Sequence, residues 1–223
     1  MHRKEALATG EVYHIYNRSI AEFKIFNTES DFLRIKNMIR YYQFGDMPLK
    51  FSRFVKLEDI QKYGFNDYIA SLTKAKEKII QIVAYCFMPT HLHLILKPLK
   101  DDGISIFMHR VLDSYSRYFN TLHNRKGPLW QGRFKNVLVK TDDQLLHLTR
   151  YLHLNPVTAY LVKKPEEWKA SSYKEYSIKN NKNEDVCDYK ELLNIDHSEY
   201  KKFTKDNISY QRELSKIKDL IFD

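Results

Sequence analysis

Apolar residues in this chain recur at two spacings, and the order of those spacings predicts an architecture. Val12-Tyr13-His14-Ile15-Tyr16-Asn17-Arg18 alternates at period two and predicts a first strand. Its inward set is either Val12, His14 and Tyr16 or the more apolar pair Tyr13 and Ile15. Ile35, Met38, Ile39 and Tyr42 then form the stripe of a helix over 31–42. Apolar positions in 43–66 are isolated and predict a loop with a short helix over 57–63, and 67–80 reads as a helical turn or a lead-in. Two apolar runs, 79–87 and 91–97, are parted by the turn-forming Pro89-Thr90 and predict a central hairpin. After Gly103 a long amphipathic helix is predicted over 104–123, with Ile106, Phe107, Val111, Leu112, Tyr115, Phe119 and Leu122 on one side. A loop at 124–128 leads to a strand over 136–140. Leu145, Leu146, Leu148 and Leu152 predict a further helix, capped by Asp142 and stopped just after Asn155 by Pro156. Residues 1–11 read as a mobile arm, Trp168–Tyr176 as a segment packed on the domain, and 179–184 as a polar linker. Residues 189–193 and 198–220 read as short helices.

Strand, helix, two strands, helix, strand is the order of an α+β, ferredoxin-like fold: an antiparallel sheet with helices on one face, here with a C-terminal helical extension. The expected division is a domain over 1–176 and the extension over 177–223. Within 223 residues, 43% apolar, there is room for one sizeable core, which excludes wholesale disorder.

Charge adds a partner class. The net charge is +9 and the pI about 9.3, which favours an anionic partner, nucleic acid before acidic membrane. From Lys97 to Lys140 there are 9 Lys and Arg against 3 acids, so the excess is concentrated there. Aromatic content of 14%, led by 16 tyrosines, suits a surface that stacks bases. Cys86 and Cys187 have no metal-site or disulfide spacing, no apolar run reaches membrane-spanning length, and the N-terminus lacks an apolar signal core. A cytoplasmic protein with no membrane partner is the expectation.

The candidate chemistry lies on two elements. His91 and His93 are two apart on a strand and share a face, a ready pair of nitrogen ligands. A bare His-x-His serves equally well as the polar face of a half-exposed strand. Tyr151 and Asn155 are four apart and share a helix face. If that helix packs across the strand edge, Tyr151, the Asn155 amide oxygen, His91 and His93 meet around one metal. His153 points elsewhere on the helix. His14 could add a ligand, although a single strand histidine reads more readily as a surface residue. Gln131, Arg133 and Lys135 are candidate DNA contacts, as are Arg125 and Lys126 in the charged stretch and Arg117 and Tyr118 on the long helix; Trp130 reads as a packing anchor.

The stretch Met88-Pro89-Thr90-His91-Leu92-His93-Leu94-Ile95-Leu96 resembles the His-hydrophobic-His motif of the single-tyrosine, IS200-like transposases. Tyr151-Leu152-His153-Leu154-Asn155-Pro156-Val157 resembles their tyrosine-bearing helix, in the form found in REP-associated tyrosine transposases. Residues 115–120 with 127–135, and 167–173, resemble that subgroup too, and the four motifs stand in its order over about residues 8 to 205. The resemblance implies a ferredoxin-like fold and a metal-dependent single-stranded DNA endonuclease and strand transferase. It implies Tyr151 as nucleophile, a 5′-phosphotyrosine intermediate with a free 3′-OH, and hairpin-bearing DNA as substrate in transposition. It implies a divalent metal on His91, His93 and Asn155: mixed nitrogen and oxygen ligands suit Mn²⁺ better than Mg²⁺, while availability in cells favours Mg²⁺. Against the family's spacing 43–66 looks like an insertion. Some relatives act as dimers, so monomer and homodimer both stay open. Two other readings stand beside it: a catalytically silent nucleic-acid-binding protein on this fold would be expected to lack a histidine or the tyrosine, and a small zinc hydrolase would want a third histidine or carboxylate nearby.

Overall fold

A computed structural model describes residues 7–178 and 185–213. Most of the expected arm, the polar linker and the last residues of the chain lie outside this range. Four strands, β1 (Val12–Arg18), β2 (Ile80–Met88), β3 (His91–Pro98) and β4 (Lys135–Val139), form one antiparallel sheet in the order β2-β3-β1-β4. The helices are α1 (Glu29–Tyr42), α2 (Phe51–Phe54), α3 (Glu58–Tyr63), α4 (Phe65–Thr73), α5 (Gly103–Leu122), α6 (Asp142–Thr158), α7 (Tyr173–Ser177) and α8 (His197–Asp206). The fold is α+β and ferredoxin-like: α1 and α5 pack together beneath one sheet face, and α6 packs above the other, over β2.

Strand alternation decides what lies on each face. Tyr13 and Ile15 turn into the core with Leu92, Leu94 and Leu96, against α1 and α5. Their neighbours His14 and Tyr16 therefore face the other side, with His91 and His93. Strand β2 is buried at every position because helices cover both its faces, hence its apolar run, interrupted by Gln81, whose amide donates to the Asp188 carbonyl. A bulge between Ile82 and Ala84 lets Tyr85 and Phe87 join the lower core while Ala84, Cys86 and Met88 join the upper one. The free edge of β2 is closed by backbone bonds to Ala170, Ser172 and Asp188.

Helix α1 starts two residues before the predicted position, through a capping box between Thr28 and Asp31. Helix α5 begins at Gly103, one residue before the predicted start, where any Cβ would collide with the Ile79 carbonyl. The buried stripe of α5 runs Ile104, Phe107, Met108, Val111, Tyr115, Phe119, while Ile106 and Leu122 are exposed. The expected stripe was thus rotated at its ends, because Ile104 and Met108 complete the three-and-four spacing better. Phe51, Phe54 and Ile60, isolated in the sequence, are buried together with Tyr41 against short helices.

Helix α6 departs from expectation at both ends. Thr141, not Asp142, is the cap, its hydroxyl accepting from the Gln144 N–H at 3.1 Å. Pro156 does not stop the helix, which runs on to Thr158. In a last turn proline forfeits a single helical bond, and the end is closed by Ala159 donating to the Asn155 carbonyl. Residues 189–193 form one turn rather than a helix, anchored by the buried Tyr189 and Leu193. The helix expected over 198–220 is α8, which starts one residue earlier and ends at Asp206; the helical residues 208–213 follow a break at Asn207, and 214–220 lie outside the described residues.

Candidate active site

The pairing of β1 with β3 sets His91 opposite Arg18 and His93 opposite Tyr16. The His91 and His93 rings lie 5.0 Å apart, nearly perpendicular. Each is held through Nδ1: that of His93 lies 2.9 Å from Nε2 of His14, and that of His91 lies 3.0 Å from the Thr90 hydroxyl. Among the described residues no hydrogen bond engages either Nε2. Burial pushes His91 and His14 down to about 4, with Arg18 adding to the effect on His91. Burial, then the neighbouring His14, His91 and Arg18, holds His93 well below the usual imidazole range. At neutral pH these rings are uncharged and keep a lone pair to give to a metal.

Helix α6 brings Tyr151 to this face, its ring 6.3 Å from that of His93 and edge-on to it. Burial raises the Tyr151 hydroxyl, while a side-chain hydrogen bond from Asn155 and the charge of Arg18 pull it down. One helix turn thus sets the phenol against the histidine strand and the Asn155 amide beside the phenol, within a single chain. Cys86, opposite His93 on β2, is buried and packs beneath α6.

His153 faces the other way on α6. It is fully buried, its Nδ1 2.6 Å from the Tyr200 hydroxyl and its Nε2 2.8 Å from the Ser172 hydroxyl. It ties α6 to α8 and to the segment closing the β2 edge.

The candidate DNA contacts separate in space. Lys135 adjoins the site: it pairs with Tyr16 in register, and its ammonium lies 6.0 Å from that ring. Gln131 and Arg133 are exposed on the loop before β4. Lys126 is exposed, but Arg125 donates to Asn120 Oδ1 and the Pro128 carbonyl and serves to hold its own loop. Arg117 and Tyr118 stand on α5, across the sheet from the histidines; Arg117 pairs with Asp113, and Tyr118 donates to Asp31. Trp130 packs against the lower core, donating its indole N–H to the Leu112 carbonyl. Two site neighbours, Tyr16 and Arg18, escaped the sequence reading, and His14, read as a possible extra ligand, instead meets Nδ1 of His93. The signal was in the β1 alternation, and only the partner strand was missing to give it meaning.

Among the described residues no three or more His, Cys, Asp or Glu gather to hold a metal. The donors expected from the sequence are two imidazole nitrogens on β3 and an amide oxygen on α6.

The chain is similar in sequence and in fold to known proteins. The family described as "Transposase IS200 like" matches residues 56–155. The chain is 29% identical over 134 residues to a protein of Haemophilus influenzae described as a REP-associated tyrosine transposase, spanning 53% of this chain and 76% of that one. It is also 29% identical over 174 residues to the chromosome partition protein Smc of Clostridium kluyveri, 71% of this chain but 15% of that much longer protein. Its fold is similar to a REP-associated tyrosine transposase solved bound to a REP hairpin, with a TM-score of 0.54, 16% identity, and coverage of 79% of this chain and 84% of that one.

Proposed function

We propose that this chain, which belongs to the IS200-like transposases and so to enzymes that nick and rejoin DNA, cuts single-stranded hairpin DNA with Tyr151 as its nucleophile. The observation that carries this reading is the approach of the Tyr151 ring to within 6.3 Å of His93 in one chain. A single protomer then holds every group the reaction needs, so the reading favours a monomer. The chain divides into 1–176, which carries the chemistry, and an extension over 177–223, whose described helix α8 braces α6. In this reading the protein works on DNA in the cytoplasm.

In the cut, the Tyr151 oxygen forms a bond to phosphorus as the bond from phosphorus to the 3′ oxygen breaks. The products are a 5′-phosphotyrosine and a free 3′-OH. The reverse reaction, with a different 3′-OH, joins strands with no external energy source. The phenol must lose a proton that burial makes harder to lose; the Asn155 hydrogen bond and the Arg18 charge both favour the ionised oxygen. Arg18 and Lys135 stand where phosphate oxygens would pass and hold the strand. Fixing nucleophile and phosphate in one frame is itself a large part of the catalysis.

His91 and His93 fit a divalent cation, Mg²⁺ or Mn²⁺, because each presents a held, uncharged ring with Nε2 left over, and Asn155 offers the oxygen. When bound, the metal supplies a Lewis acid for a non-bridging phosphate oxygen. His14 acts as a positioning residue: by engaging Nδ1 of His93 it turns Nε2 outward. His14→Phe should weaken Mn²⁺ binding by about 10- to 100-fold, read by Mn²⁺ electron paramagnetic resonance, with the circular dichroism spectrum kept. An unchanged affinity would remove His14 from this role.

The test of the activity is a denaturing gel of protein incubated with labelled hairpin oligonucleotides drawn from the flanks of its own gene. A covalent protein–DNA adduct should form with Mg²⁺ or Mn²⁺ and vanish with chelator. Tight, salt-sensitive binding with no adduct on any flank sequence would instead favour the catalytically silent reading.

A further inference from the structure

On the far side of the sheet from the histidines, a cleft of about 900 Å³ opens between α1, residues 47–56 and α5. Its wall carries six Arg and Lys side chains against one acid, Asp113, which is already paired with Arg117. Lys50, Arg53 and Lys56 recur every three residues along one rim, are exposed, and enter no ion pair among the described residues. Arg34 lies at the floor. Its guanidinium sits 4.8 Å from the Phe51 ring and 4.8 Å from the Tyr118 ring, wedged between the two. Its buried Nε has no hydrogen-bond partner. A cation so held has lost water and rotamer freedom before any ligand arrives, and it still has a donor to satisfy.

We propose that this cleft is a second nucleic-acid site, taking a single-stranded segment of the substrate away from the phosphate being cut. Phosphates lie along Lys50, Arg53 and Lys56, and one reaches Arg34 between its two rings. The Tyr118 ring and its apolar neighbours give the bases a face to rest on. Concentrated positive charge explains the phosphates, and an aromatic floor explains why a strand with unpaired bases fits better than a bare anion. The segment 47–56 builds the rim, so this stretch gains a purpose the cutting site does not give it. The assignment rests on the DNA-cutting reading for the identity of its ligand.

The test uses the full chain, a fluorescently labelled hairpin oligonucleotide with a single-stranded tail, and the triple variant Lys50→Glu/Arg53→Glu/Lys56→Glu beside its glutamine counterpart. Anisotropy titrations over a range of NaCl should show at least about tenfold weaker binding for both. The slope of log affinity against log salt should become shallower by about 2, for three phosphates lost at roughly 0.7 each. The yield of covalent adduct at saturating protein should match the wild type. An unchanged slope and affinity would overturn the site. So would an adduct lost even at saturation, which would assign these residues to the cutting centre. So would displacement of DNA by poly-glutamate of equal charge at equal concentration, which would make the cleft a binder of acidic chains. A wild-type protein that makes no adduct but shows the slope change would retire the cutting mechanism and leave the cleft standing.

Discussion

Tyr151→Phe should abolish the covalent adduct, a loss of at least about 10³-fold in the rate of cutting, because no other group can take over the bond to phosphorus. The substitution removes one oxygen from a half-buried ring whose side-chain hydrogen bond is to Asn155. Losing that bond costs on the order of 1 kcal/mol, so the variant should fold and bind DNA as before. The comparison that decides is Tyr118→Phe. Tyr118 stands across the sheet on α5, bound to Asp31 with Arg34 over its ring. Its variant should keep the adduct. If Tyr151→Phe kept the adduct and Tyr118→Phe lost it, the nucleophile would move to the other face of the molecule.

Acid should unfold the protein earlier than its basic composition suggests. Burial holds His14 and His91 at about 4 and His153 at about 3, and keeps His93 low as well. In the unfolded chain each returns to about 6.5. Between those values the unfolded chain takes up protons that the folded chain refuses, so stability is complete above about pH 6.5 and falls as the pH is lowered through the window. His153 alone accounts for roughly 3 kcal/mol between pH 6.5 and 4, at about 1.4 kcal/mol per unit. Glu175, raised by its own burial, works in the opposite direction: its contribution is present at low pH and lost as the pH rises. It is one group against four. Urea midpoints of chelator-treated protein should therefore drop steeply between pH 6.5 and 4.5. A midpoint level down to pH 4.5 would mean that the imidazoles are not shielded as their packing requires. His153→Gln should flatten part of the slope while lowering the midpoint at pH 7.5.

Alternation was the part of the fold most open to reading. Of the two sets open for the first strand, the more apolar, Tyr13 and Ile15, is the one turned inward, and Leu92, Leu94 and Leu96 oppose His91 and His93. The hairpin follows from the same pattern, and the helix carrying Tyr151 from leucines at helical spacing. What alternation could not supply was pairing between distant strands. That β1 lies beside β3, with Tyr16 facing His93 and His14 reaching its Nδ1, depends on sheet order, a property of no single segment. The stretch 43–66 was opaque for another reason. Phe51, Phe54 and Ile60 show no period, because they are buried by turns and short helices around Tyr41 rather than along one stripe. Pro156 was misjudged because a steric rule for helix interiors loses most of its force in a final turn.

The two halves of the candidate site rest on different foundations. Strand β3 is hydrogen bonded on both sides and sits on the apolar cluster shared with α1 and α5. Helix α6 rests on the other cluster, with Leu145, Leu152, Tyr173, Tyr176 and Tyr200, and meets the sheet through β2. Inherited variation can therefore act on each separately. Substitutions at the α6 positions of the upper cluster, Leu145 and Leu152, shift the seat of the phenol and leave the lower contacts of the histidine strand as they were, and substitutions under the sheet do the reverse; Ile95 of β3, within the upper cluster, is a point where the two meet. A lineage carrying this fold can change the reach of the Tyr151 phenol over many generations without at any point dismantling the strand beside it.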